Sequence, residues 1–379
     1  MATIFGTSSI DNLFGTAGAD SLVGLAGNDV LFGGAGSDTF DGGVGSDTAN
    51  YAGLGTAITL RDQGRVDKGV FGSDRLENME KIIGAVGFRN VIDGTVSGSQ
   101  VTNFFVDLGG AVPSLIVNNI PGLGSASFQV VNFVDVIGTA NNDTLLGDAQ
   151  ANLLSGAGGD DSLNGRAGND ILQGGTGSDT LNGGDGFDTA NYSALGGPIT
   201  LRERGRVDKG TFGLDSLLGM ERIIGAVAFR NVIDGTVDDP QSTSFFVNLG
   251  AEQLLISGIP TVGIATFQVT NFVDVIGTSN NDVLIGSAQA NLLSGGGGND
   301  ALIGGAGNDT LDGGTGNDRM AGDAGNDFFV VDGAGDSVSD SAGTDTILLR
   351  TGSINLSGIF VENVTGDIVG QAFSITGNS

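Results

Sequence analysis

Aspartates spaced at multiples of nine residues fall in three stretches of this chain, and they are its main candidates for chemistry. The first stretch holds Asp11, Asp20, Asp29, Asp38 and Asp47. The second holds Asp143, Asp161, Asp170, Asp179 and Asp188, and the third Asp282, Asp300, Asp309, Asp318 and Asp327. The chain has no Cys and no His, which excludes disulfides, thiolate metal sites, the usual Zn²⁺ ligand and the commonest general base. Adjacent carboxylates such as Asp160 and Asp161, or Asp238 and Asp239, look like acid/base dyads. Neighbours on a strand point to opposite faces, however, so turn or ligand roles explain them better. Acidic residues number 44 against 15 basic ones, for a formal charge of −29. Such a chain repels nucleic acid and anionic lipid, and its natural partners are cations.

The elements that position these carboxylates are nonads. From Gly6 the sequence divides without a gap into GTSSIDNLF, GTAGADSLV, GLAGNDVLF, GGAGSDTFD and GGVGSDTAN. The register resumes at Gly138 and again at Gly277. Glycines at positions 1, 2 and 4 are expected to supply positive φ and a tight turn. Position 6 is nearly always Asp, and position 8 is apolar, as at Leu22, Leu31, Phe40, Leu163, Leu172, Leu181, Leu302, Leu311 and Phe329. The last three residues therefore read as a very short strand with one inward side chain, following a six-residue turn. A flexible Gly/Asp linker would not keep an apolar residue in step with Asp through three separated blocks.

These nonads resemble the GGxGxDxUx repeat of the RTX (repeats-in-toxin) family over roughly 40% of the chain. The resemblance implies an all-β, elongated parallel β-roll or β-helix solenoid in which two nonads make one turn and residues eighteen apart stack. It also implies Ca²⁺ between turns, held by turn carbonyls and position-6 carboxylates. Carried onto this sequence, the stacked pairs are Asp11 with Asp29, Asp20 with Asp38 and Asp29 with Asp47. The later blocks give Asp143 with Asp161, Asp161 with Asp179, Asp170 with Asp188, Asp282 with Asp300, Asp300 with Asp318 and Asp309 with Asp327. Asn152 and Asn291 replace Asp in nonads that also lose turn glycines, so sites there should be weak or missing. An oxygen-only site suits Ca²⁺ rather than Zn²⁺ or Cu²⁺, with affinity on the order of 10⁻⁴ to 10⁻³ M. Carboxylates stacked about 4.8 Å apart repel, and each nonad buries only one Leu-sized side chain. The chain is therefore expected to be largely unfolded in chelator and ordered at millimolar Ca²⁺.

Two related segments separate the blocks, beginning NYAGLGTAITLRDQGRVDKG at Asn50 and NYSALGGPITLRERGRVDKG at Asn191. They hold most of the basic residues: Arg61, Arg65, Lys68, Arg75, Lys81 and Arg89 in the first, and Arg202, Arg204, Arg206, Lys209, Arg222 and Arg230 in the second. These charges read either as a solvated face balancing nearby acids or as a patch docking on acidic β-roll or acidic polysaccharide. FFVDL and FQVVNFVDV favour strands, while LENMEKIIG and LLGMERIIG fit a helical turn or more strand. Phe71, Phe88, Phe104, Phe105, Phe128, Phe133 and their counterparts read as core. The resulting organisation is RTX blocks at 1–50, 138–191 and 277–330, β-rich inserts continuing the solenoid at 51–137 and 192–276, and a C-terminal β extension at 331–379.

The N-terminus has no basic stretch followed by a long apolar one, and no apolar run is long enough to span a bilayer, so neither a cleaved N-terminal signal nor a membrane span is expected. Neither end looks capped, and the C-terminal FSITGNS resembles the openings VIGTANND and VIGTSNND. Stacking one molecule's tail on the next molecule's head would give a filament. The leading expectation is a non-enzymatic, calcium-binding extracellular structural protein of a surface layer or matrix, its partner a second copy of itself. The family resemblance implies type I secretion. The alternative is a secreted adhesin binding acidic polysaccharide or a cell surface; a toxin or hydrolase module fits least, since no catalytic domain is present.

Overall fold

The computed structural model describes residues 1–61, 64–95, 103–120, 124–202, 205–236, 244–259, 263–350, 353–356, 363–366 and 374–377. Two compact units emerge, one of residues 1–190 and 212–220, the other of 191–211 and 221–379. The described residues are all-β, with short 3₁₀ turns such as Gly69–Phe71 and Gly210–Phe212. None of them forms a helix long and apolar enough to cross a membrane.

In the first unit the nonads fold as their spacing predicts. Thr3–Phe5, Ser21–Val23 and Thr39–Asp41 pair in parallel in one sheet. Asn12–Phe14, Val30–Phe32 and Thr48–Asn50 pair in parallel in a second. Each strand thus faces the strand two nonads away, and successive nonads alternate between sheets. This is the parallel β-roll. The same alternation returns at Thr144–Leu146, Ser162–Ala167 and Thr180–Asp185, and at Leu153–Ser155 and Ile171–Gln173. Three residues suffice for each strand because only the middle side chain turns inward: Leu22, Leu31, Phe40, Leu145, Leu154, Leu172 and Leu181 are fully buried.

The first insert carries both sheets onward through longer excursions. Thr59–Arg61, Arg65–Asp67 and Ser73–Glu77 form an antiparallel meander whose last strand stacks in parallel on Thr39–Asp41. Lys81–Ile83 lies between Thr48–Asn50 and Gly124–Val131, parallel to both. A second antiparallel meander, Asn103–Asp107, Ser114–Ile120 and Gly124–Val131, hands its first strand in parallel to Thr144–Leu146. LENMEKIIG therefore resolves as strand.

The second unit repeats this plan. Thr200–Arg202 pairs antiparallel with Arg206–Asp208 and in parallel with Asn231–Asp234. The meander Ser244–Asn248, Gln253–Ile259 and Gly263–Thr270 leads in parallel to Val283–Ile285. From there one row runs through Ala301–Ala306, Arg319–Ala324 and Ser337–Ser339. The other runs through Leu292–Ser294, Thr310–Asp312, Phe328–Val331, Thr346–Leu349 and Asn363–Gly366. Roll geometry thus continues past residue 330.

The insert phenylalanines divide. Phe104, Phe133, Phe245 and Phe272 are buried, whereas Phe88 and Phe229 are 42% and 39% exposed, contrary to the expected core role for all of them.

Candidate metal centres

In most of the nonads the turn that carries the aspartate is set by two left-handed residues. Positive φ occurs at positions 2 and 4, as at Gly305 (φ 101°) and Gly307 (φ 108°). Position 1 does not adopt it, which corrects the expectation for that glycine. Gly24 is required for a different reason: a methyl group there would collide with the Gly42 carbonyl of the next coil and with the Asp29 carboxylate. At position 2, Leu25, Ala157 and Arg166 are held left-handed (φ 71–77°) despite their side chains, a strain of roughly 1 to 2 kcal/mol each.

The carboxylates form ladders. Along each ladder one carboxylate oxygen accepts the backbone N–H of the aspartate one coil earlier, as Asp29 from Asp11 at 2.8 Å, Asp38 from Asp20 at 2.9 Å and Asp47 from Asp29 at 2.7 Å. The second block repeats this, Asp161 accepting from Asp143 (2.7 Å), Asp179 from Asp161 (3.0 Å) and Asp188 from Asp170 (2.7 Å). In the third, Asp300 accepts from Asp282 (2.7 Å), Asp318 from Asp300 (2.8 Å) and Asp327 from Asp309 (2.8 Å). All nine sequence-paired couples are therefore brought together. An outer ladder, not anticipated from sequence, runs beside them at position 5, where Asn28 Oδ1 accepts the N–H of Ser46 and Asn299 Oδ1 that of Asn317.

The second carboxylate oxygen divides the sites into two kinds. In Asp11, Asp20, Asp143 and Asp282 it accepts the N–H of the threonine at position 2 (2.5–2.6 Å), and each threonine hydroxyl bonds the same carboxylate. In Asp29, Asp47, Asp161, Asp170, Asp300, Asp309 and Asp318, Oδ2 is buried and accepts no hydrogen bond. Every one of these seven follows a left-handed position 2, which turns the local N–H away; none of the four threonines is left-handed. A buried carboxylate oxygen with no donor is costly unless a cation meets it. Without a cation, burial pushes Asp161 up to about 8, Asp300 to about 7, and Asp170, Asp309 and Asp318 to about 6, with carboxylates of neighbouring coils adding to the rise. The Thr16 hydroxyl and amide instead hold Asp20 below its ordinary value.

Asn152 and Asn291 close their own nonads. Each Oδ1 accepts from position 2 (Asp148 at 2.9 Å, Ser287 at 2.7 Å), and each Nδ2 donates to the preceding coil's carbonyl (Val134 at 2.7 Å, Val273 at 2.6 Å). An amide donor stands there in place of a carboxylate oxygen.

The nonad pattern decides what this arrangement is. The family model of the RTX calcium-binding nonapeptide repeat matches residues 5–39, 14–49, 137–172, 155–190, 276–311, 294–329 and 303–338. These are RTX calcium-binding repeats. Their donors are oxygens only, and the undonated oxygens lie where two coils meet, so the residues fit Ca²⁺. No curated protein matches the sequence. Among solved structures, the crystal structure of the extracellular lipase LipA from Serratia marcescens is similar at 18% identity, over 71% of this chain, with a TM-score of 0.19. The chain spans 40% of the lipase chain.

The RTX ladders reach further than the recognisable nonads. Asp74 accepts the N–H of Asp38 and Asp215 that of Asp179, both at 3.0 Å and thirty-six residues on. Glu80 takes the N–H of Asp47 at 2.8 Å. Asp336 and Asp345 continue the third block's columns beyond residue 330. There, carboxylates of Asp318, Asp332 and Asp336 converge to within 4.8 Å, as do those of Asp327, Asp340 and Asp345. Nine-residue spacing of Asp with an apolar residue two places later (Asp336/Val338, Asp345/Ile347) was the signal available for these.

Four arginines of the inserts pair with acids of their own segment. Arg61 meets Asp93 (2.6 Å) and Arg202 meets Asp234 (2.7 Å). Arg89 and Arg230 each fork onto a carboxylate, Asp135 and Asp274, while also reaching the Ala151 and Ala290 carbonyls. Asp160, set against Asp161 as a dyad, instead accepts the Ser178 N–H on the outer ladder. Arg204, Asp238, Asp239, Phe373, Asn378 and Ser379 lie outside the described residues.

Proposed function

We propose that this chain is an extracellular structural protein whose coils are cemented by Ca²⁺, that it has no catalytic role of its own, and that copies of it assemble into a surface-layer or matrix filament. The observation that carries the calcium part is the set of buried, undonated Oδ2 atoms at Asp29, Asp47, Asp161, Asp170, Asp300, Asp309 and Asp318. These seven, with Asp188 and Asp327 on the same columns, are proposed as the working ligands. Asp11, Asp20, Asp143 and Asp282 are proposed as self-closed rungs that take up no ion.

Assembly is supported by the first coil. Among the described residues, Thr3–Phe5 pairs with Ser21–Val23 and Asn12–Phe14 with Val30–Phe32. Phe5, Ile10 and Phe14 on that coil are 64%, 71% and 63% exposed. Exposed apolar residues clustered in this way mark a surface for association. Extracellular calcium is millimolar, which suits sites of modest affinity, and export by type I secretion accords with folding that waits for the ion. The paired state of Arg61, Arg89, Arg202 and Arg230 leaves less basic surface for an acidic polysaccharide and favours the structural reading over an adhesin.

Negative-stain microscopy in 5–10 mM CaCl₂ (about tenfold above such affinities) and in EDTA tests the proposal. Fibres that form with calcium and vanish with chelator are expected. Dispersed particles at high protein concentration in calcium remove the filament, and identical circular dichroism in EDTA and calcium removes the calcium-folded roll.

A further inference from the structure

One rung of the ladder already holds a cation. Asp38 belongs to the nonad GGAGSDTFD, whose position 2, Gly34, is left-handed (φ 77°) as in the rungs with an undonated Oδ2. Its Oδ2 nevertheless has a donor: Lys68 Nζ lies 3.1 Å away. The same Nζ reaches the Gly34 carbonyl at 2.9 Å and Asp74 Oδ1 at 2.6 Å. An ammonium has three N–H donors, and these are three acceptors. The side chains of Lys68, Asp38 and Asp74 are all 0% exposed. Lysine is almost never buried so completely unless paired.

The insert delivers this group. Asp38 is followed in its column by Asp74 rather than by a residue eighteen places on, because the meander Thr59–Arg61, Arg65–Asp67 and Ser73–Glu77 lengthens that coil. Lys68 leaves the middle strand of the meander just before the 3₁₀ turn Gly69–Phe71, anchored by its own N–H to the Gly72 carbonyl at 2.8 Å. Its chain then runs inward to the point where two coils meet. A turn carbonyl, an Oδ2 and a carboxylate oxygen from the next coil are the donor types available to a cation in the neighbouring rungs. The duplicated insert carries the same run, GRVDKG, and its Lys209 is likewise buried at 1% exposure.

We propose that Lys68 is a tethered substitute for a metal ion: its ammonium closes the rung between Asp38 and Asp74, so this junction of repeat block and insert takes up no calcium and is held together without it. The proposal rests on the calcium reading of the open rungs. Lys68→Ala leaves the carbonyl and both carboxylates in place with room beside them, and turns the junction into a metal site.

The test counts Ca²⁺ bound per chain by equilibrium dialysis with ⁴⁵Ca²⁺, with circular dichroism followed through a calcium titration. Lys68→Ala is expected to bind one ion more than the parent and to need more calcium to fold. A folded Lys68→Ala that binds the same number of ions as the parent overturns the proposal. If Lys68→Ala does not fold at any calcium concentration, the double variant Lys68→Met/Asp74→Asn decides. Folding at the parent's calcium midpoint shows that the lysine serves as the rung's charge; failure to fold, with bulk and net charge both retained, shows that charge closure is not its role and overturns the proposal. A parent protein whose dichroism ignores EDTA removes the calcium reading, and the proposal with it, before any variant is made.

Discussion

At the scale of single residues, the chemistry turns on which hydrogen-bond donor each aspartate oxygen finds. On the proposed reading, an oxygen that meets a position-2 N–H needs no ion and one that meets nothing does. Asp161→Asn should therefore replace one carboxylate oxygen by an amide donor, as in Asn152, with loss of bound calcium and a rise of about twofold or more in the calcium midpoint for folding. Asp20→Asn should leave the number of bound ions unchanged, and the same dialysis and dichroism titrations distinguish the two. Acidity follows from the burial of these carboxylates. Folded-state values of about 8 for Asp161, about 7 for Asp300 and about 6 for Asp170, Asp309 and Asp318 lie above the ordinary 3.8. The metal-free folded chain consequently binds more protons than the unfolded chain between those values. Its penalty is fully present above about pH 8 and lifts as pH falls through 8, 7 and 6 toward 3.8. In EDTA, strand dichroism should be stronger at pH 4.5 than at pH 8 (roughly the unfolded and folded ends of that window). With limiting calcium the order should reverse, because protons then compete with the ion.

At the scale of elements, the nonad is a machine with little slack. Gly15 at position 1 would drive an added methyl into the Gly33 carbonyl, whereas at Gly18, position 4 of the same nonad, the nearest atom lies 3.8 Å off. Gly15→Ala should cost about 1 to 3 kcal/mol and Gly18→Ala less than about 1, read as melting temperatures at saturating calcium. Much of this element was legible in the sequence, because a period of nine with Asp at 6 and an apolar residue at 8 fixes both the ligand face and the buried face; Leu22, Leu163 and Leu302 lie where that period puts them. What stayed hidden depends on tertiary closure. Asp74 and Asp215 join the columns only because an antiparallel meander returns the chain to register after thirty-six residues, and no local pattern announces that. Asp336 and Asp345 escaped because their turns lack the paired glycines while keeping the spacing of Asp and apolar residue. The helix-or-strand ambiguity of LENMEKIIG was settled by parallel partners distant in sequence, Thr39–Asp41 and Gly124–Val131.

For the whole molecule, a net charge of −29 raises the question of whether calcium acts by screening or by occupying sites. Screening would make any salt effective, since the Debye length is already about 8 Å at 0.15 M. Occupancy demands a small divalent ion with oxygen affinity. Sodium chloride at ionic strength matched to saturating CaCl₂ should leave the chain unfolded by dichroism, and folding in salt alone would show that relief of repulsion is sufficient. The left-handed residue at position 2 gives occupancy an adjustable quantity. Swapping that residue for threonine, or threonine for glycine, converts a rung between ion-requiring and self-sufficient without altering any acidic group. Substitution at that one turn position would thereby set the calcium threshold for folding, coil by coil, with the number of acidic groups held constant.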